Sequence, residues 1–215
     1  RVAAMLRFAE HAPAHLLGGL APRMGAATIE HLAVNAVMAG CKPIHLPLLI
    51  ATIEALLDPA FNLYGIQCTT HCCAPLAIVN GPLAATLGVH AGYGLFGPGP
   101  WTNGPIGRAV RLVLLNVGGA IPGDIDKATF GMPGKFSYCI AENESALPAG
   151  WPTLAAERGF GPQTSTVTVI GAEAPHNVND HESTTAAGLL RMIAGTMSET
   201  GQNNVYYASE PLVIL

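Results

Sequence analysis

"STVTVIGAEAPHNVNDHESTTAAGLLRMIAGTM" runs from Ser165 to Met197. Its first eight residues are rich in β-branched side chains and alternate, which predicts a strand. "TTAAGLLRMIAGTM" predicts a helix, and "PLVIL" at 211–215 reads as a buried strand. Strand, loop, helix, strand is the order of a parallel crossover. The expected class is therefore α/β, with a mixed or mostly parallel sheet, flanking helices and a helical N-terminal part. In such sheets ligands sit at the carboxyl ends of the strands.

Working outward, "TIEHLAVNAVMAG" predicts a helix capped by Thr28 and ended by Gly40, with Ile29, Leu32, Ala33, Ala36 and Val37 on one face. "LPLLIATIEALLD" predicts a second helix, apolar nearly all round and so buried, with Pro47 in its first turn. From Phe61 the texture changes. "NLYGIQCTT", "PLAIVNG" and "KFSYCIAENE" are read as strands, and "IGRAVRLVLLNVGG" as a helix ended by Gly118 and Gly119. Residues 1–60 form a helical N-terminal segment in this reading. Residues 61–215 form the α/β domain, in one compact unit with it. The loops at 68–73, 142–144 and 174–183 each follow an expected strand, so parallel neighbours would bring them to one edge of the sheet.

Hydrophobic residues make up 50% of the 215 and charged residues 11%, against a usual charged share of about 25%. So little surface set aside for water points to a homo-oligomer. The net charge of −4, with only 10 Lys and Arg, excludes a nucleic-acid partner. No run reaches about 18 uncharged apolar residues, so no membrane span is expected. No signal peptide is read at Arg1. Five cysteines are an odd count, which suits reduced thiols in a cytoplasmic protein.

Four stretches carry candidate chemistry. "HNVNDHES" gathers His176, Asp180 and His181, which suit proton transfer near neutral pH, or a divalent metal held by His176 and His181. The plain alternative is a solvated turn in which Asp180 and Ser183 cap. "CTTHCC" (68–73) places His71 among three thiols. The histidine is the expected proton carrier; the cysteines are read mostly as packing. "FGPGPWTNGPIGRA" feeds a helix, and Arg108, with Arg111 three residues on, would hold an anion there. Thr102, Asn103 and Asn80 would add neutral hydrogen bonds to the substrate. In "CIAENE", Glu142 is a candidate second base and Glu144 stands two residues on.

"PRMG" (Pro22–Gly25), "TIEHLAVNAVMAGCKP" (Thr28–Pro43), "FGPGPWTNGPIGRAVRLVLLN" (Phe96–Asn116) and "HNVNDH" (His176–His181) resemble a group of bacterial proteins. They are named for, or occur beside, a UGSC motif, U being selenocysteine or its Cys replacement. The Gly-Ser-Cys tripeptide is absent from these 215 residues. The resemblance implies a partner protein with thiol or selenol chemistry and carries over no site residue.

Three functions remain open at this level. One is a cytoplasmic enzyme of lyase or hydratase type, acting on a small anionic molecule by His and Asp acid–base chemistry, with or without a metal. A second is a thiol- or selenol-linked redox subunit. The third is a non-catalytic assembly domain of a larger enzyme. The first requires His71, Arg108 and the turn around Asp180 to meet.

Overall fold

The computed structural model describes residues 1–98, 101–199 and 213. The chain forms two compact units, 1–174 and 175–215. Residues 1–60 and 61–174 thus share the first unit.

Unit 1 opens with α1 (Val2–Leu6) and an antiparallel hairpin, β1 (Leu16–Leu20) and β2 (Gly25–Thr28). The hairpin departs from the all-helical expectation for this segment. Gly18, Gly19 and Ala26 give it no alternation strong enough to read, and its register comes from pairing alone. α2 (Ile29–Ala39) follows directly. The Thr28 hydroxyl accepts the His31 N–H at 3.2 Å, and Gly40 closes the helix at φ 87°. α3 (Leu46–Leu57) has Pro47 in its first turn and buries Leu46, Leu48, Leu49, Thr52, Ile53 and Leu56. Five residues later comes α4 (Leu63–Gln67), where the sequence reading expected a strand. Asn62 explains the difference: its Oδ1 accepts the Gly65 N–H at 3.2 Å, a local cap that β-propensity does not weigh.

β3 (Ala74–Asn80) leads into α5 (Pro82–Leu87) and then α6 (Asn103–Asn116). α6 starts three residues before the expected Ile106. β4 is short (Cys139–Ala141), α7 spans Leu154–Glu157, and β5 spans Thr166–Ala172. The fold is α/β with a mixed sheet of order β4-β3-β5. β3 and β4 are parallel; β3 and β5 are antiparallel, with Ala74 opposite Ala172 and Asn80 opposite Thr166.

The helical layer carries the main core. Ile29, Leu32, Ala33 and Ala36 of α2 interlock with Leu49, Ile53 and Leu56 of α3 and with Ala109, Val110, Val113 and Leu114 of α6. Burial of each Leu or Ile contributes about 1.5–3 kcal/mol. α6 approaches the sheet through Gly107, where an added Cβ would stand 2.4 Å from the Tyr138 nitrogen. Close contact at that point sets what α6 can present to the strand ends.

Unit 2 contains α8 (Ala186–Met197), capped by the Thr185 hydroxyl on the Gly188 N–H at 3.1 Å. The expected strand 211–215 lies outside the described residues, apart from Val213.

Candidate functional site

Strand direction sorts the polar residues. Because β5 runs against β3, the start of β3, the start of β4 and the end of β5 share one edge of the sheet. The opposite edge holds the ends of β3 and β4. The loop 68–73 precedes β3 and follows α4, so it does not share an edge with 142–144, as parallel neighbours would have required. β3 spans roughly 20 Å at about 3.3 Å per residue. His71 and Glu142 therefore do not meet.

At the first edge the register places Glu173, one residue past β5, beside the segment leading into β3. His71 Nε2 lies 2.7 Å from Glu173 Oε1, and both side chains are partly exposed. Tyr138, just before β4, donates its hydroxyl to the Glu173 carbonyl at 2.7 Å. Burial pushes the Tyr138 phenol up to about 12, so it stays a donor at neutral pH. The segment after α6 is strapped to the same edge. Thr129 donates its N–H and its hydroxyl to the Thr70 carbonyl, at 3.0 and 3.2 Å.

Next to this pair, α6 and the 120–135 segment build a narrow crevice of about 10 Å3. Its walls include Gln67, Cys73, Arg111, Lys135 and Tyr138. Asp126 binds both cations: Lys135 Nζ lies 2.8 and 2.9 Å from its oxygens, and Arg111 3.5 Å from one. The carboxylate is 3% exposed and the two cations 11–12%. Arg111 and Lys135 share the Asp126 carboxylate, and Glu173 is near enough to act on Cys73 from the other side. Burial pulls the Arg111 pKa down, and Asp126 pulls it back up. Cys73, on the same wall, is held as a thiol: burial raises its pKa, and the opposing pull of Lys135 is smaller.

Arg111 therefore occupies the place expected of Arg108. Arg108 lies over the Phe136 ring, 5.8 Å from its centroid. Both arginines project from α6; only its packing on the Ser137–Cys139 segment decides which one is buried. Asn103 is spent on the backbone. It accepts the His90 N–H at 2.8 Å and donates to the carbonyls of His90 and Leu95 at 3.0 and 3.4 Å. Thr102 donates to the Leu87 carbonyl at 3.3 Å. These two residues pin the Gly-rich loop and are buried.

At the second edge, Asn80 and Glu142 do meet. Asn80 Nδ2 donates to Glu142 Oε2, and to Glu144 Oε1 at 2.8 Å. Glu144 Oε1 also accepts the Gly81 N–H at 2.8 Å, and Glu142 Oε2 the Leu154 N–H at 2.9 Å.

His176, Asp180 and His181 lie in unit 2. Asp180 Oδ1 accepts the N–H groups of Glu182 and Ser183 at 3.0 and 2.9 Å, the turn that its residue type favours. Hydrogen bonds from the Ser183 side chain, then from the Ser183 and Glu182 backbone, hold its carboxyl below the usual range. Among the described residues no three His, Cys, Asp or Glu side chains converge to hold a metal ion, so these three form no such set.

Glu173, Lys135 and Asp126 were not singled out in the sequence. Glu173 borders a loop that was, but nothing local ties it to residue 71. Comparison with protein-family models, curated proteins and solved structures finds no match for this chain. No described helix is long and apolar enough to cross a membrane.

Proposed function

We propose that unit 1 belongs to a cytoplasmic enzyme of lyase or hydratase type that acts on a small anionic molecule by acid–base chemistry. The site is the first sheet edge. The carrying observation is the His71–Glu173 pair at 2.7 Å, joined through Tyr138 and Cys73 to a crevice lined by Arg111 and Lys135. Lys135 and Arg111 anchor the anionic group in the role expected of Arg108, and Glu173 takes the carboxylate role expected of Asp180, so the turn around Asp180 is no longer called on. His71 takes a proton from the carbon next to it, and the electron pair left behind expels a group from the adjacent carbon. Glu173 orients the imidazole and stabilises the imidazolium that forms. Addition of water across the double bond is the reverse path. Metal assistance by His176 and His181 draws no support from the arrangement of the described side chains.

The thiol- or selenol-partner alternative, and with it the UGSC resemblance, would rest on Cys68 and Cys72, since burial holds Cys41, Cys73 and Cys139 as thiols. A homo-oligomer is supported by exposed aromatics, among them Tyr93, Trp101, Phe130 and Phe136.

Hydrogen–deuterium exchange tests the reaction class. The full chain is incubated in D2O with small hydroxy- and amino-carboxylates, and exchange beside the carboxylate is followed by NMR. The expected result is exchange into at least one compound, reduced about 10²–10⁴-fold in His71→Gln. Exchange that survives His71→Gln unchanged, or anion binding indifferent to Lys135→Met, overturns the reading.

A further inference from the structure

We propose that His45 is an acid-sensitive latch: neutral, it holds closed the corner between α2 and α3, with α1 seated on it; protonated, it lets that corner open. The latch stands apart from the acid–base pair and uses none of its residues. A short 3-10 turn, Pro43–His45, links α2 to α3, and α1 packs against it. The His45 side chain is buried at 1% exposure. Its Nδ1 accepts the Lys42 N–H at 3.3 Å, so the neutral ring carries its proton on Nε2. That Nε2 is buried and has no hydrogen-bond partner among the described residues. The Leu87 carbonyl, at the end of α5, acts on the ring without meeting Nε2 in hydrogen-bond geometry, and it already accepts the Thr102 hydroxyl at 3.3 Å. A buried donor left unmet calls for a reason.

Charging the ring makes every one of these contacts worse. A second proton on Nδ1 sets two N–H donors against each other and removes the bond from Lys42. The charged groups nearby give no relief. Lys42 is itself cationic. α1 carries Arg1 and Arg7 at its two ends and no acid, and α5 carries no titratable side chain. Glu54, the one acid of α3, lies nine residues on and is exposed; Glu30 and His31 sit at the opposite end of α2. Cys41 is a neutral thiol, its pKa pushed up to about 12 by burial. Burial lowers the His45 pKa, Lys42 lowers it further, and the Leu87 carbonyl offsets only part of this. The unfolded chain therefore takes up the proton first. Stability due to neutral His45 is complete above the ordinary histidine value of 6.5 and is lost as pH falls below it. The corner gives way before the core does: Met5 is the one buried residue of α1, and Lys42 and Ile44 are exposed, so opening here uncovers little apolar surface. Opening does uncover Cys41, whose thiol donates to the Pro105 carbonyl at 3.3 Å.

The test follows the full chain from about pH 7.5 to about pH 5.5 beside two variants that cannot titrate. His45→Asn keeps an acceptor for the Lys42 N–H, and His45→Phe keeps the volume of the ring. Across this range the unfolding constant of the wild-type chain, from urea unfolding, is expected to rise about tenfold more than that of either variant. Labelling of Cys41 by 4,4′-dithiodipyridine, located by peptide mapping, reads the opening itself. It should speed up on acidification in the wild type and not in the variants, while circular dichroism shows the chain still folded. An unfolding constant whose pH dependence both variants share overturns the proposal, as does Cys41 labelling whose pH dependence they share. If neither variant folds, the imidazole NMR signals of the wild-type chain decide alone. A His45 ring still mostly neutral at about pH 6 supports the latch, and one mostly charged there overturns it.

Discussion

Replacing Asp126 with alanine strands two buried cations. Lys135 loses both of its short contacts, Arg111 loses one at 3.5 Å, and the Ala128 N–H loses its acceptor at 3.1 Å. Lys135 and Arg111 are 12% and 11% exposed, so water replaces little of what is lost. Breaking a buried pair from one side costs about 3–5 kcal/mol, because an unpaired charge remains. For a chain of this size that lowers Tm by roughly 6–20 °C. Asp126→Asn keeps an acceptor for Ala128 and a weaker one for Lys135, so about 1–3 kcal/mol is expected. The double change Asp126→Ala with Lys135→Met removes the stranded ammonium and should recover at least about 1 kcal/mol over Asp126→Ala alone. Urea unfolding followed by circular dichroism measures all four proteins, with unchanged m-values as the condition for comparing midpoints. A loss under about 1 kcal/mol for Asp126→Ala would refute the reasoning, as would a double variant no more stable than the single.

Burial pushes the Cys41 and Cys139 thiols up to about 12 and the Tyr138 phenol likewise. Unfolded, the thiols titrate near 9 and the phenol near 10, so between there and about 12 the unfolded chain binds fewer protons than the folded one. Stability should be unaffected by these groups below pH 9 and fall above it, seen as a declining urea midpoint from pH 9 to 11. At pH 8 an alkylating reagent should spare Cys41 and Cys139 until the chain unfolds; mass mapping of labelled peptides checks this. Gly107→Ala should force α6 away from the Tyr138 backbone, cost several times the usual ~1 kcal/mol of a point change, and weaken anion binding at Lys135 and Arg111 in calorimetry. Thr28→Ala should cost about 1 kcal/mol in urea unfolding through loss of the α2 cap.

Residues near in sequence were enough to specify much of the fold. α2, α3, β3, β5, α6 and α8 follow from periodicity, caps and breakers, whose physics acts within a turn of helix or a few strand residues. The stripe read on α2 is the face that is packed: Ile29, Leu32, Ala33 and Ala36 are buried and Val37 borders them. Residue chemistry alone singles out His71, among its neighbouring sulfurs, as the expected proton carrier. Its partner did not follow. Alternation in "STVTVIGA" makes a strand but is the same read in either direction, and only pairing with β3 sets β5 antiparallel. That direction places Glu173 beside His71, leaves Asn80 with Glu142 and Glu144 at the far edge, and divides a group of side chains expected to act together. Likewise Arg108 and Arg111 share one side of a helix by spacing, and only the contact of α6 with the start of β4 buries Arg111 against Asp126. Local preference reaches a few residues along the chain, whereas the meeting of residues 71 and 173, or 80 and 144, is decided by which distant surfaces exclude water together.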